Sequence, residues 1–158
     1  MAAGSYAQVK RDTKIVAATL VAISGAILAA SIACTAAIAN GASMRWRLLF
    51  RLFCHGIPER CLYLWNTPMP ICARCTAIYV GLALSAALFR ILPRMKEQTA
   101  RYILYGAVLP MAIDGLTQLV HLRLSSNPLR IETGLLAGLA FGVWALSAIE
   151  NHEIVTIP

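Results

Sequence analysis

Of 158 residues, 59% are hydrophobic and only 13% charged, the formal charge is +7, and mean hydropathy is +0.68. Soluble domains carry about a quarter charged residues, so the composition excludes an ordinary water-soluble globule and points to a single membrane domain over residues 1–158. The basic residues stand in short clusters beside apolar stretches, which fits membrane-flanking charge and argues against a nucleic-acid partner.

In chain order, the first apolar stretch is Ile15–Ala39, preceded by Lys10, Arg11 and Lys14. The basic start resembles a signal peptide, but the stretch is too long for a typical signal core and long enough to span, so it is expected to be retained. Three further apolar segments follow at about residues 72–92, 101–122 and 131–149. Each approaches the roughly 20 residues that a spanning helix needs, and only helices satisfy their backbone in lipid at these lengths. The fold class expected is therefore all-α: a multi-pass bundle of four transmembrane helices whose partner is the lipid bilayer.

Between the first two segments, residues 44–53 (MRWRLLFRLF) alternate arginine with aromatic and aliphatic side chains. That pattern suits a short interfacial helix whose arginines reach lipid phosphate. Residues 54–71 carry Pro58, Pro68 and Pro70 and are expected to be irregular. The later loops are short, with Arg90, Pro93, Arg94 and Lys96 in one and Ser125, Ser126, Asn127 and Pro128 in the other. Small residues recur every four positions as Gly134, Gly138 and Gly142 in the fourth segment, and as Gly25, Ala29, Ala33 and Ala37 in the first. This is the spacing that lets helix backbones approach closely in lipid.

Five cysteines occur. Cys34, among alanines, reads as a small packing residue. The others cluster as Cys54–His55, Cys61 and the Cys-x-x-Cys pair Cys72 and Cys75, which opens the second helix. Three readings stand for this cluster. It can be a metal site, zinc by preference, since thiolate and imidazole are its usual donors. It can be a dithiol–disulfide relay, because a helix N-terminus and the intervening Arg74 favour thiolate, and a loop cysteine pair followed by Cys-x-x-Cys at a helix start resembles the layout of membrane thiol oxidoreductases that reduce quinones. It can also be inert or structural.

The third segment adds Asp114, Gln118 and His121 at i, i+4 and i+7, on one helix face. Ionisable groups this deep in a membrane protein are costly and point to function. With four spans, the loop after the first helix and the loop before the fourth share a side. Cys54, His55, Arg60, Cys72, Cys75, Asp114, Gln118, His121, Arg130 and Glu132 then converge on one membrane face. Flanking basic residues number seven on each side, so charge does not orient the chain. If Arg60, Arg74 and Arg130 belong to the site, the balance favours a cytoplasmic N-terminus and an outward-facing site.

The segments FRLFCHGIPERC, PICARCTAIYVG, IDGLTQ and SNPLRIETG resemble those of a prokaryotic membrane-protein family, domain-of-unknown-function family 2085. Its hallmarks are Cys-His-x-x-Pro-x-Arg, Cys-x-Arg-Cys, Asp-Gly-x-x-Gln and Arg-x-x-x-Gly. Cys54, His55, Pro58, Arg60, Cys72, Arg74, Cys75, Asp114, Gly115, Gln118, Arg130 and Gly134 match them. The resemblance implies a multi-pass fold in the prokaryotic plasma membrane with a shared polar site, and no established activity. The family usually has serine in place of Cys61 and glycine in place of Ala77. Cys61 is thereby demoted, leaving Cys54, His55, Cys72 and Cys75 as the expected zinc ligands. Arg60, Arg74, Asp114, Gln118, His121, Arg130 and Glu132 form the expected polar pocket, and the role expected is that of an accessory subunit with protein partners in a larger membrane complex. A quinone-coupled thiol oxidoreductase and a purely structural bundle subunit are the alternatives.

Overall fold

The computed structural model describes residues 2–89, 91, 95–120 and 125–155. Among them are four α-helices: α1 Ala2–Ala39, α2 Ala73–Leu88, α3 Glu97–Leu119 and α4 Asn127–Val155. Each matches one expected segment, with shifted ends. The first begins well before Ile15, and the fourth begins at Asn127, with Pro128 in the first turn where a missing N–H costs nothing. The expected ends of the second and third segments, Leu92 and Leu122, lie outside the described residues.

Among the described residues, two helices are long and apolar enough to cross a membrane, by length and composition: Gln8–Ala39 within α1, with mean hydropathy 2.3, and Asn127–Asn151 within α4, with 1.5. The expectation of four such spans is met only by these two. At 16 residues, α2 rises about 24 Å, short of a hydrocarbon core of about 30 Å. At 23 residues, α3 has the length, but Glu97, Arg101, Asp114 and Gln118 dilute its hydropathy.

The stretch expected to be irregular is folded. Strands β1 (Cys61–Leu64) and β2 (Thr67–Cys72) form an antiparallel hairpin with Cys61 opposite Cys72 and Leu64 opposite Thr67. The all-α expectation mostly holds, with this small two-stranded sheet added to it. Trp65 and Asn66 turn the chain with φ of 50° and 58°, the left-handed pair that a two-residue hairpin turn requires. Pro68 and Pro70 are compatible with β2 because it has a neighbour on one side only and little ladder bonding to lose.

Residues Met44–Leu52 form a 3₁₀-helix, capped by the Ser43 hydroxyl, which accepts from the Arg45 N–H. Its repeat of three residues puts Arg47 and Phe50 on one face. Phe50 is buried, while Trp46, Leu48, Leu49, Leu52 and Phe53 are exposed. The aromatic and aliphatic side chains thus form an outward ridge, as an interfacial helix would present, but Arg47 turns inward instead of toward lipid phosphate.

Helices α2 and α4 make the most extensive contact in the molecule, and the glycine ladder explains it. A Cβ on Gly134 would lie 2.6 Å from the Arg74 carbonyl oxygen, and one on Gly138 would lie 2.3 Å from that of Ile78. The corresponding row on α1 behaves differently. Gly25, Ala29, Ala33 and Ala37 are exposed, whereas Ser24, Ser31 and Thr35 are buried. The hydroxyls of Ser31 and Thr35 donate to the carbonyls of Leu28 and Ser31 at 2.9 and 2.8 Å. Helix α1 therefore turns a small polar face inward, where those groups are shielded from lipid.

The two ends of α4 are tied to opposite ends of the bundle. Asn127 Nδ2 donates to the Cys61 carbonyl at 3.3 Å, and Asn151 Nδ2 donates to the Met95 carbonyl at 3.3 Å. The hairpin and the start of α4 thereby share one end.

Candidate functional site

The site is built at that end, where the chain passes from the 3₁₀-helix through the hairpin into α2. Cys54 follows the 3₁₀-helix, Cys72 ends β2, and Cys75 lies in the first turn of α2. The Sγ atoms of Cys54, Cys72 and Cys75 all lie within 4.8 Å of one another. All three cysteines are free thiols. They border an apolar cluster of Phe50, Met69 and Ile71, against which Ile27, Leu28, Cys34 and Tyr79 also pack. One flank of the sulfur cluster is thus dry.

Backbone N–H groups point at the sulfurs. Cys54 Sγ accepts from the N–H of Gly56 at 3.5 Å and of Cys72 at 3.2 Å. Cys72 Sγ caps α2 by accepting from the Cys75 N–H at 3.5 Å. Thiol hydrogen bonds from Cys72 and Cys75, reinforced by these backbone donors, hold the Cys54 pKa well below the usual thiol range against the opposing effect of burial. Gly56 is required to close this turn: its φ is +57°, and a Cβ there would lie 2.6 Å from the Pro70 carbonyl oxygen.

Cys61 does not join the cluster. It is fully buried, donates to the Ile57 carbonyl at 3.1 Å and lies 3.7 Å from an Arg47 nitrogen. Burial pushes its pKa up to about 11, so it stays a protonated thiol. Arg47 is a residue that sequence reasoning missed. Its guanidinium donates to the carbonyls of Gly56 and Met69 at 2.9 and 3.0 Å, pinning the Cys54 turn to β2. The signal lay in a three-residue spacing from Phe50, which a helix of 3.6 residues per turn obscures.

Beside the thiols opens a cavity of about 350 Å³ lined by Cys54, His55, Arg60, Cys72, Arg74, Cys75, Gln118 and Arg130, with Phe53, Gly56 and Ile57 at its apolar edge. His55 is exposed and lines the cavity, yet is not one of the clustered donors. Arg74 forms an ion pair with Asp114, whose carboxylate also accepts from the Ser125 hydroxyl at 2.8 Å. Asp114 is 4% exposed and Gln118 is also buried. A Cβ placed on Gly115 would meet the Arg74 guanidinium at 3.6 Å, an ordinary contact. Arg130 is buried and donates to Asn127 Oδ1 at 2.8 Å. Of the remaining expected residues, Glu132 is exposed on α4 and does not line this cavity. His121 lies outside the described residues. Ser125 and Asn127 had read only as turn formers, yet they bond to the Asp114 carboxylate and to Arg130.

Chemically, the arrangement suits a single soft cation. At a Zn–S distance of about 2.3 Å, tetrahedral geometry puts sulfurs about 3.8 Å apart, so three sulfurs within 4.8 Å need only small side-chain movements to share one ion. N–H donors to thiolate sulfur are the usual second layer of such centres.

A family model described as "Predicted membrane protein (DUF2085)" matches residues 54–144. This range begins at Cys54 and takes in every residue of the thiol cluster and cavity wall except Phe53. An uncharacterized protein of Methanothermobacter thermautotrophicus is 40% identical over 109 residues, covering 68% of this chain and 96% of the relative. Uncharacterized protein MJ1492 of Methanocaldococcus jannaschii is 36% identical over 92 residues, covering 57% of this chain and 59% of that relative. The chain thus spans less than two thirds of the latter's length. No solved structure matches the chain.

Proposed function

Because the chain belongs to domain-of-unknown-function family 2085, whose model is described as that of a predicted membrane protein, we propose that it is a multi-pass protein of the prokaryotic plasma membrane that holds a zinc ion at one membrane face. Cys54, Cys72 and Cys75 are its thiolate ligands, and His55 rotates in from the cavity wall to supply the fourth donor. The observation that carries this reading is the approach of three free thiol sulfurs within 4.8 Å, with backbone N–H groups directed at two of them. Zinc suits the donor set because it favours four-coordinate sites of thiolate and imidazole and needs no redox partner. The ion would tie the 3₁₀-helix, the hairpin and α2 together, as befits an accessory subunit that presents a fixed surface to partners in a membrane complex.

A second reading has its own support. Cys72 and Cys75 form a Cys-x-x-Cys pair of free thiols at the N-terminus of α2, with their sulfurs within 4.8 Å of each other. A thiol–disulfide oxidoreductase passing electrons to a quinone would use that pair. Elemental analysis of the purified full chain separates the two. About one zinc per chain, lost in Cys72→Ser and bound about tenfold or more weakly in His55→Ala, is the expected result. Metal-free protein with a reducible Cys72–Cys75 disulfide would sink the zinc reading and favour the oxidoreductase.

A further inference from the structure

The cavity beside the thiols holds more positive charge than its surroundings balance. Three guanidiniums line it, those of Arg60, Arg74 and Arg130, and Asp114 compensates Arg74. Among the described residues, neither Arg60 nor Arg130 forms an ion pair. Arg130 is only 6% exposed and has a neutral partner, Asn127 Oδ1. Asp114 attracts Arg130 at a distance, but the neighbouring Arg60 and Arg74 repel it, and a buried guanidinium is costly unless a counter-charge meets it directly. A zinc–tris-thiolate centre on the opposite wall, with a net charge of −1, would leave part of this excess unmatched.

We propose that the cavity binds a phosphoryl oxyanion between Arg60 and Arg130, with Gln118 as a neutral hydrogen-bonding partner. Planar guanidiniums match phosphate oxygens bidentately, and the positive charge left over suits a phosphate group carrying one to two negative charges. The cavity edge is apolar, with Phe53 and Ile57 exposed, and the exposed ridge of the 3₁₀-helix adjoins it. The phosphate can therefore belong to a lipid headgroup or to a free phosphate compound. The proposal stands without the metal, because it rests on the arginine wall alone.

The test uses the full chain in detergent micelles, with zinc content measured in every sample. Binding of radiolabelled inorganic phosphate is measured by equilibrium dialysis, and binding of short-chain phosphatidic acid by native mass spectrometry. Saturable binding of one probe, weakened about tenfold or more in Arg60→Gln and Arg130→Gln and still present after zinc is stripped with chelator, is the expected result. Binding of phosphate identifies a free ligand; binding of phosphatidic acid alone identifies a lipid headgroup. Should Arg130→Gln not fold, Arg60→Gln, at a half-buried position, carries the test by itself. The proposal is overturned by any of three results: no binding of either probe to folded wild-type protein, binding unchanged in Arg60→Gln, or acetate competing as well as phosphate. Loss of zinc from Cys72→Ser with phosphate binding intact would separate this site from the metal reading.

Discussion

Arg74 joins α2 to α3 through a carboxylate with little access to water. Asp114 is 4% exposed and receives both the Arg74 guanidinium and the Ser125 hydroxyl. Removing one member of such a pair strands the other charge, at a cost of about 3–5 kcal/mol when both are buried. Arg74 retains 21% side-chain exposure, so the expected loss for Asp114→Ala lies toward about 3 kcal/mol. Arg74→Ala should cost at least as much, because it takes the cation from the more buried of the two groups, and the double variant less than the sum of the two, since both members of the pair are then gone. Denaturant unfolding in micelles measures all three; strict additivity would show that the pair is not coupled. Cys54, Cys72, Cys75, Arg74 and Asp114 were legible in the sequence because their residue types state their chemistry. Arg47 was not. Its direction depends on whether the backbone advances by three or by 3.6 residues per turn, which a run of arginines among apolar side chains does not reveal.

Helices α2 and α4 meet through glycine. A Cβ on Gly138 would come within 3.0 Å of three Ile78 backbone atoms, and backbone cannot step aside as a flexible side chain can. Gly138→Ala is expected to destabilise the protein by about 1–3 kcal/mol. Gly106→Ala on α3, with open space around the new methyl group, should be neutral or gain up to about 1 kcal/mol from helix propensity. Thermal unfolding of the two variants checks the contrast, and equal effects would refute the close crossing. Spacing in the sequence identified the α4 ladder but also suggested an equivalent one on α1. The difference is that Ser24, Ser31 and Thr35 compete for the inward face of α1, and shielding hydroxyls outweighs close approach of small residues. The hairpin was hidden for another reason. Pro68 and Pro70 read as strand breakers, whereas a two-stranded sheet leaves one side of β2 unpaired and accommodates them.

At the scale of the molecule, α4 acts as a strut between two ends, bonded to the hairpin through Asn127 and to the chain before α3 through Asn151. If it crosses the bilayer, Trp65→Cys and Ser126→Cys should react with an impermeant thiol reagent from one side, and Lys96→Cys from the other. Labelling all three from one side would rule out that topology. Helix number was readable from the apolar stretches, and the thiols, His55, Arg60, Arg74, Gln118 and Arg130 share one cavity, while Glu132 stays out of it. Which helices span independently was not readable, because α3 carries the polar side chains that build the cavity. The arrangement also sets an order of assembly. Cys54, Cys72 and Cys75 leave the ribosome close together, whereas Arg130 follows Cys75 by 55 positions. At about 5–20 residues per second, the thiols wait about 3–11 s for the wall that encloses them. During that interval they stand open to whatever delivers metal, or oxidises sulfur, at the translocating membrane.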